Sequence, residues 1–89
     1  MSDAQRIADG RALDALLERV KSELRGDGRD ASAREIDEAM LAGSTGLEIH
    51  YLVRGALLRI RATLADRPPI AHTVQDAIDL IDRIVGRNA

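Results

Sequence analysis

The twenty-one residues from Thr45 to Ala65, TGLEIHYLVRGALLRIRATLA, form the longest stretch of the chain without a proline or a turn cluster. They constrain the fold more than any other segment. Placed at 100° per residue, they carry two apolar stripes rather than one. The first holds Ile49, Val53, Ala56, Ile60 and Leu64, with Leu52 and Leu57 on its flanks. The second holds Leu47, Tyr51, Leu58, Ala62 and Ala65. A basic line of His50, Arg54 and Arg61 separates them on one side. On the other runs a seam of Glu48, Gly55, Arg59 and Asp66. A helix apolar on two sides is expected to be central, with a neighbour against each.

The rest of the chain reads as helices able to surround it. Leu13, Leu16, Leu17, Val20 and Leu24 recur at helical spacing, with Asp14, Glu18, Lys21 and Arg25 on the other side. Before them, residues 2–9 are ambiguous: either Asp9 caps a helix starting near Gly10, or a helix begins near Ser2 or Asp3. Gly26 is placed for a left-handed C-cap, with Asp27-Gly28 continuing the turn. A second helix starts at Asp30 or Ser32, where Ser32-Ala-Arg-Glu35 fits a capping box. Its short apolar side is Ala33, Ile36, Ala39 and Met40, with Leu41 beside them, and Gly43 stops it. A second box, Thr45-Gly-Leu-Glu48, opens the central helix. Asp66-Arg67-Pro68-Pro69 ends that helix and starts the next, since proline suits a first helical turn. Ile70, Val74, Ala77, Ile78, Ile81, Ile84 and Val85 then give the cleanest stripe in the chain, and Gly86 closes it.

Composition sets the class. At 89 residues the chain is one small domain, near the size at which a single core just suffices. Its apolar residues are nearly all aliphatic, and Tyr51 is the lone aromatic. Such a core packs helices closely but offers no platform for stacking bases. A net charge of −2 gives no general attraction to nucleic acid or anionic lipid. Cysteine is absent, which removes disulfides and thiolate chemistry. No apolar run has signal-peptide or membrane-spanning length, so a cytoplasmic setting is expected. Basic charge carried by arginine, with Lys21 the only lysine, suggests a GC-rich bacterial genome.

Four features deserve weighing as sites. The corner Gly43–Glu48 offers helix N–H groups to an anion, but it has no lysine and Glu48 would repel one; a capped turn explains it. The run EIDEAMLAGSTGLEIHYLVR resembles the DNA-binding helix-turn-helix pattern at Ala39, Gly43, Ile49 and Leu52, and departs from it at Ser44. That resemblance implies presentation of Leu47, His50, Tyr51 and Arg54 to a groove, although Glu35, Asp37, Glu38 and Glu48 are acidic where phosphates would approach. His72 and Asp76 are spaced i,i+4 and Asp79 follows on the same side, which suits a carboxylate–imidazole metal site. A further ligand would have to come from elsewhere, and a solvated polar face accounts for them. None of Ser2, Ser22, Ser32, Ser44, Thr45, Thr63 and Thr73 sits in a nucleophile motif. The fourth feature is the second stripe, where Gly55 and Ala62 lie beside Tyr51 and Leu58. It either packs against the second helix, through Ala39 and Ala42, or forms an interface. In an interface, Tyr51 and the arginines are the residue types that anchor binding, and the partner would present carboxylates.

These readings predict an all-α, up-and-down four-helix bundle with helices at about 10–25, 31–42, 45–65 and 69–86 and a long central third helix. The expected function is that of a non-enzymatic protein-binding module, a regulator or inhibitor of immunity or antitoxin type. The expected partner-binding residues are Tyr51, Arg54, Gly55, Leu58, Arg61 and His50. The partner is another protein or a second copy in a homodimer. No catalytic set, metal, cofactor, small-molecule substrate or membrane is implied, and nucleic acid is disfavoured. The alternative is a dimeric helix-turn-helix regulator using the second and third helices.

Overall fold

The computed structural model describes residues 3–88. It contains α1 at Asp3–Gly26, α2 at Asp30–Ala42, α3 at Gly46–Ala62 and α4 at Pro68–Asn88, and no strand among the described residues. Each helix packs against its sequence neighbours and α1 closes the ring against α4, while the diagonal pairs do not meet. Short links impose an antiparallel course. Arg54 meets Asp82 and Arg61 meets Gln75, so seven residues forward along α3 match seven residues back along α4. The fold is the expected all-α four-helix bundle.

The core is aliphatic throughout. Val20 and Leu24 of α1, Ile36 of α2, Leu57 and Ile60 of α3, and Val74, Ile78 and Ile81 of α4 are almost fully buried. Burying each such side chain contributes about 1.5–3 kcal/mol. These are the first stripe of the third helix and the single stripes of the other three, as the spacing predicts. Leu64 is also completely buried, although it lies beyond α3.

Several boundaries differ from expectation. The longest helix is α1 with 24 residues, whereas α3 has 17 and stops at Ala62 rather than Ala65. Thr63 ends it: its backbone N–H donates to the Ile60 carbonyl at 2.9 Å, and its hydroxyl donates to that carbonyl at 2.7 Å. The tightened turn sends Leu64 down into the core. At the other end of the chain, α1 runs unbroken through Gly10 from Asp3, so residues 3–9 are helical. Ser2 lies outside the described residues. Similarly, α4 passes Gly86 and reaches Asn88.

The left-handed residue after α1 is Gly28, at φ 75°, and not Gly26, which stays helical. Gly28 N–H donates to the Arg25 carbonyl at 3.0 Å and Arg29 N–H to the Leu24 carbonyl at 2.8 Å. These are the two bonds of a Schellman closure. They deliver the chain directly to Asp30, so α2 starts before Ser32. The Ser32–Glu35 box is therefore not a cap: α2 has Arg29 at its N-cap without a side-chain cap bond. Glu35 instead accepts from Arg59 of α3, Nε to Oε1 at 2.6 Å.

Candidate functional site

The expected site occupies α3, whose start is fixed by chemistry. Thr45 is extended and its hydroxyl accepts the Glu48 N–H at 3.2 Å. The Glu48 carboxylate accepts from the Ser44 hydroxyl at 3.3 Å. Just before, Gly43 is also extended, with φ −85° and ψ 148°. Its role is close approach: a Cβ there would lie 2.7 Å from Ile49 Cγ1 and 2.9 Å from the Ile49 backbone nitrogen. The corner therefore presses α2 onto the first turn of α3 and seats Ile49 against the core. Its N-terminal N–H group is met by Thr45, as a capped turn requires.

Around α3, Val53, Ala56, Leu57 and Ile60 face inward. The second stripe is consequently turned outward, away from both α2 and α4. This corrects the expectation of a helix buried on two sides: α3 has two neighbours, but both pack on the flanks of the first stripe. Tyr51 is 56% exposed and Leu47 48% exposed, and Ala62 is exposed. Gly55 and Leu58 are half-buried, and Leu58 also touches the core. Over Gly55, an added Cβ would meet only the mobile end of Arg59, at 3.5 Å, which is ordinary contact. The small residue therefore serves no close crossing within the chain, and Ala39 and Ala42 do not cover it.

The polar members of the expected site behave differently. Arg54 turns toward α4 and donates to Asp82, Nε to Oδ1 at 2.6 Å and Nη2 to Oδ2 at 3.4 Å. That carboxylate raises the guanidinium pKa above its ordinary value. Arg61 is engaged on the same flank by the Gln75 side-chain carbonyl. His50 is half-buried. The structure thus brings Tyr51, Gly55 and Leu58 onto one line but turns Arg54 and Arg61 toward partners within the chain. A partner's carboxylates would have to displace Asp82 to reach Arg54, which weakens that part of the expectation.

Sequence reasoning missed Leu41, which is 86% exposed at the end of α2. Its signal was present: it lies 100° from the Met40 position and off the apolar side of its helix. Together Ile7, Leu41, Leu47, Tyr51 and Leu52 are the exposed large apolar residues among those described. All lie toward the end of the bundle that carries the Gly43 corner. At the opposite end the loops are tied by charge. Asp27 accepts from Arg29 at 2.7 Å and from Arg67 at 3.1 Å, and Asp66 lies beside both arginines. The bundle is polarised, with ion pairs at one end and bare apolar side chains at the other.

The remaining candidates are accounted for locally. Among the described residues no group of three His, Cys, Asp or Glu side chains could hold a metal ion. Asp79 accepts from Gln75 at 2.9 Å, and His72 and Asp76 are exposed. Thr73 is buried, and its hydroxyl bonds the Pro69 carbonyl at 3.2 Å and Glu23 at 3.4 Å. No helix among the described residues is long and apolar enough to cross a membrane. No known protein family, curated protein or solved structure matches the chain.

Proposed function

We propose that this chain is a non-enzymatic protein-binding module whose working surface is the outward face of α3. One observation carries the reading: Tyr51 and Leu47, on one line with Gly55 and Leu58, stand about half-exposed with no element of the chain laid over them. Exposed apolar side chains gathered in this way mark an interaction surface, and tyrosine is enriched among the residues that dominate binding energy. A small regulator or inhibitor acting in the cytoplasm, of immunity or antitoxin type, is the role this reading favours. The helix-turn-helix alternative draws less support, because Arg54 is held by Asp82 and the neighbouring face of α2 is acidic.

The test is capture of a specific partner by the immobilised chain, compared between wild type and Tyr51→Arg. Loss of capture in the variant, with an unchanged melting curve, supports the reading. Equal capture by both proteins counts against it. Retardation of duplex DNA that weakens steeply with salt would transfer the function to the groove-binding alternative.

A further inference from the structure

Resting on the reading of the α3 outward face as a protein interface, we propose that its occupant is a second copy of this chain. The two α3 helices would lie antiparallel and cross beside Gly55.

The first support is the shape of the face. Leu47, Tyr51, Gly55, Leu58 and Ala62 fall within about 80° of one another at 100° per residue, centred opposite the core residue Ile60. Gly55 sits mid-line, and nothing in its own chain needs its small size. It leaves a saddle between Tyr51 and Leu58. Centring an antiparallel pair between Arg54 and Gly55 sets Tyr51 against Leu58 of the second copy and Leu47 against its Ala62. A large residue then faces a smaller one at every level, and the helices approach most closely at the glycine.

The second support is charge. A two-fold axis perpendicular to an antiparallel helix pair brings like flanks together. On the flank toward α2 lie Glu48 and Arg59, the latter placed there by its bond to Glu35. Pairing sets Glu48 within about 3 Å, along the axis, of Arg59 from the second copy, twice by symmetry. Arg59 is already held by Glu35 but is 66% exposed, so its guanidinium bridges the two carboxylates. The flank toward α4 juxtaposes the two Arg54 side chains, each already neutralised by its own Asp82 at 2.6 Å. A parallel pair would instead oppose unlike flanks and set Arg59 beside Arg61 of the second copy. That arrangement gives up both Glu48–Arg59 pairs and leaves only Glu48 beside His50, so charge favours the antiparallel one.

A single helix pair buries little surface, so the dimer is expected to form at micromolar to millimolar concentration. The chain has no cysteine, which makes cross-linking a clean readout. The experiment is sedimentation equilibrium of the protein, together with oxidation of the single variants Leu47→Cys and Ala62→Cys, each alone and mixed, which leave Gly55 and Tyr51 in place. The expected result is a mass that rises to twice the monomer, rapid cross-linking of Leu47→Cys to Ala62→Cys in the mixture, and none of either variant to itself. In the antiparallel pair residue 47 faces residue 62 of the second copy, whereas the two copies of either residue are about 22 Å apart along the axis. Tyr51→Arg is expected to raise the dissociation constant by at least ~10-fold. Self-cross-linking of either variant as fast as the mixed product, or a strict monomer at millimolar concentration, overturns the proposal. If that monomer still captures a different protein in a Tyr51-dependent way, the binding face stands without self-association. A dimer unaffected by Tyr51→Arg overturns self-association through this face, and capture of another protein that is equally unaffected overturns the face as an interface.

Discussion

Asp27 and Arg67 are forty residues apart in sequence and joined by a hydrogen bond, Nε to Oδ1 at 3.1 Å. The bond ties the loop between α1 and α2 to the loop between α3 and α4. Arg29 adds a second bond to the other Asp27 oxygen at 2.7 Å and reaches the Thr63 carbonyl at 3.4 Å. The end of the bundle away from the Gly43 corner is therefore held by one carboxylate serving two guanidinium groups. The fully buried Leu24 and Leu64 lie next to these loops.

This carboxylate makes stability depend on acid. Hydrogen bonds from Arg29 and then Arg67 hold the Asp27 pKa below its ordinary value of 3.8. A carboxylate of lowered pKa in the folded chain contributes stability that is present above 3.8 and fades as pH falls through the folded value. Asp27→Asn is expected to lower the melting temperature at neutral pH and to reduce the loss of stability on acidification below that point. Thermal melts by circular dichroism between neutral pH and pH 2 check this. Parallel acid limbs in the two proteins would show that Asp27 is uncoupled from folding.

Lys21 gives the opposite sign. It is 7% exposed, with its ammonium 2.7 Å from both Asp37 and Glu18. Hydrogen bonds to Asp37 and then Glu18 raise its pKa above 10.5, so its contribution is complete below that value and is lost as pH rises through the folded pKa. Asp37→Ala is expected to cost about 1–3 kcal/mol by removing one of the two carboxylates that pair this nearly buried charge, leaving Glu18 alone. Lys21→Met, which removes that charge and keeps the stem, should lie within about 1 kcal/mol of wild type. Urea unfolding of the two variants separates them.

The two turn glycines should fail for different reasons. Gly28 has φ 75°, so Gly28→Ala is expected to cost about 1–2 kcal/mol through backbone strain, with open space around it. Gly43 has ordinary backbone angles, but its Cβ would fall 2.7 Å from Ile49 Cγ1. Gly43→Ala is therefore expected to cost about 1–3 kcal/mol through overpacking. Shortening Ile49 should separate the two. Ile49→Val retains Cγ1 and should leave both penalties in place. Ile49→Ala removes Cγ1 but not the backbone nitrogen at 2.9 Å, so it should relieve the Gly43→Ala penalty only in part and the Gly28→Ala penalty not at all. Equilibrium unfolding of the single and double variants reads this coupling.

Most of the bundle was legible because each helix carries its own punctuation. The apolar stripe of α4 appears at the predicted spacing, and Thr45 caps α3 as its sequence suggests. What misled were positions where two signals competed. Ser32–Glu35 has the composition of a cap, yet the Gly28 closure starts α2 first, and Glu35 goes to Arg59. Leu64 belongs to the apolar stripe of the third helix by spacing, but reaches the core from a turn made by Thr63. The second stripe of α3 was visible, whereas its exposure was not. Periodicity fixes which residues share a side of a helix, and only the packing of α2 and α4 decides which side is left open.

That open side yields a prediction in which stability and assembly move in opposite directions. Glycine inside a helix costs about 1 kcal/mol relative to alanine, and Gly55 has room for a methyl group, its nearest contact being the Arg59 guanidinium at 3.5 Å. Gly55→Ala is therefore expected to stabilise the isolated chain by up to about 1 kcal/mol in urea unfolding at low concentration. The same methyl group stands at the crossing point of the proposed helix pair and is expected to weaken the dimer. Tyr51→Ala removes an aromatic anchor from the same face and is expected to weaken the dimer while leaving unfolding of the isolated chain nearly unchanged, because the ring is 56% exposed. A Gly55→Ala protein that unfolds later and still dimerises as wild type would remove Gly55 from the interface. One that unfolds earlier would mean that the glycine serves the fold of its own chain.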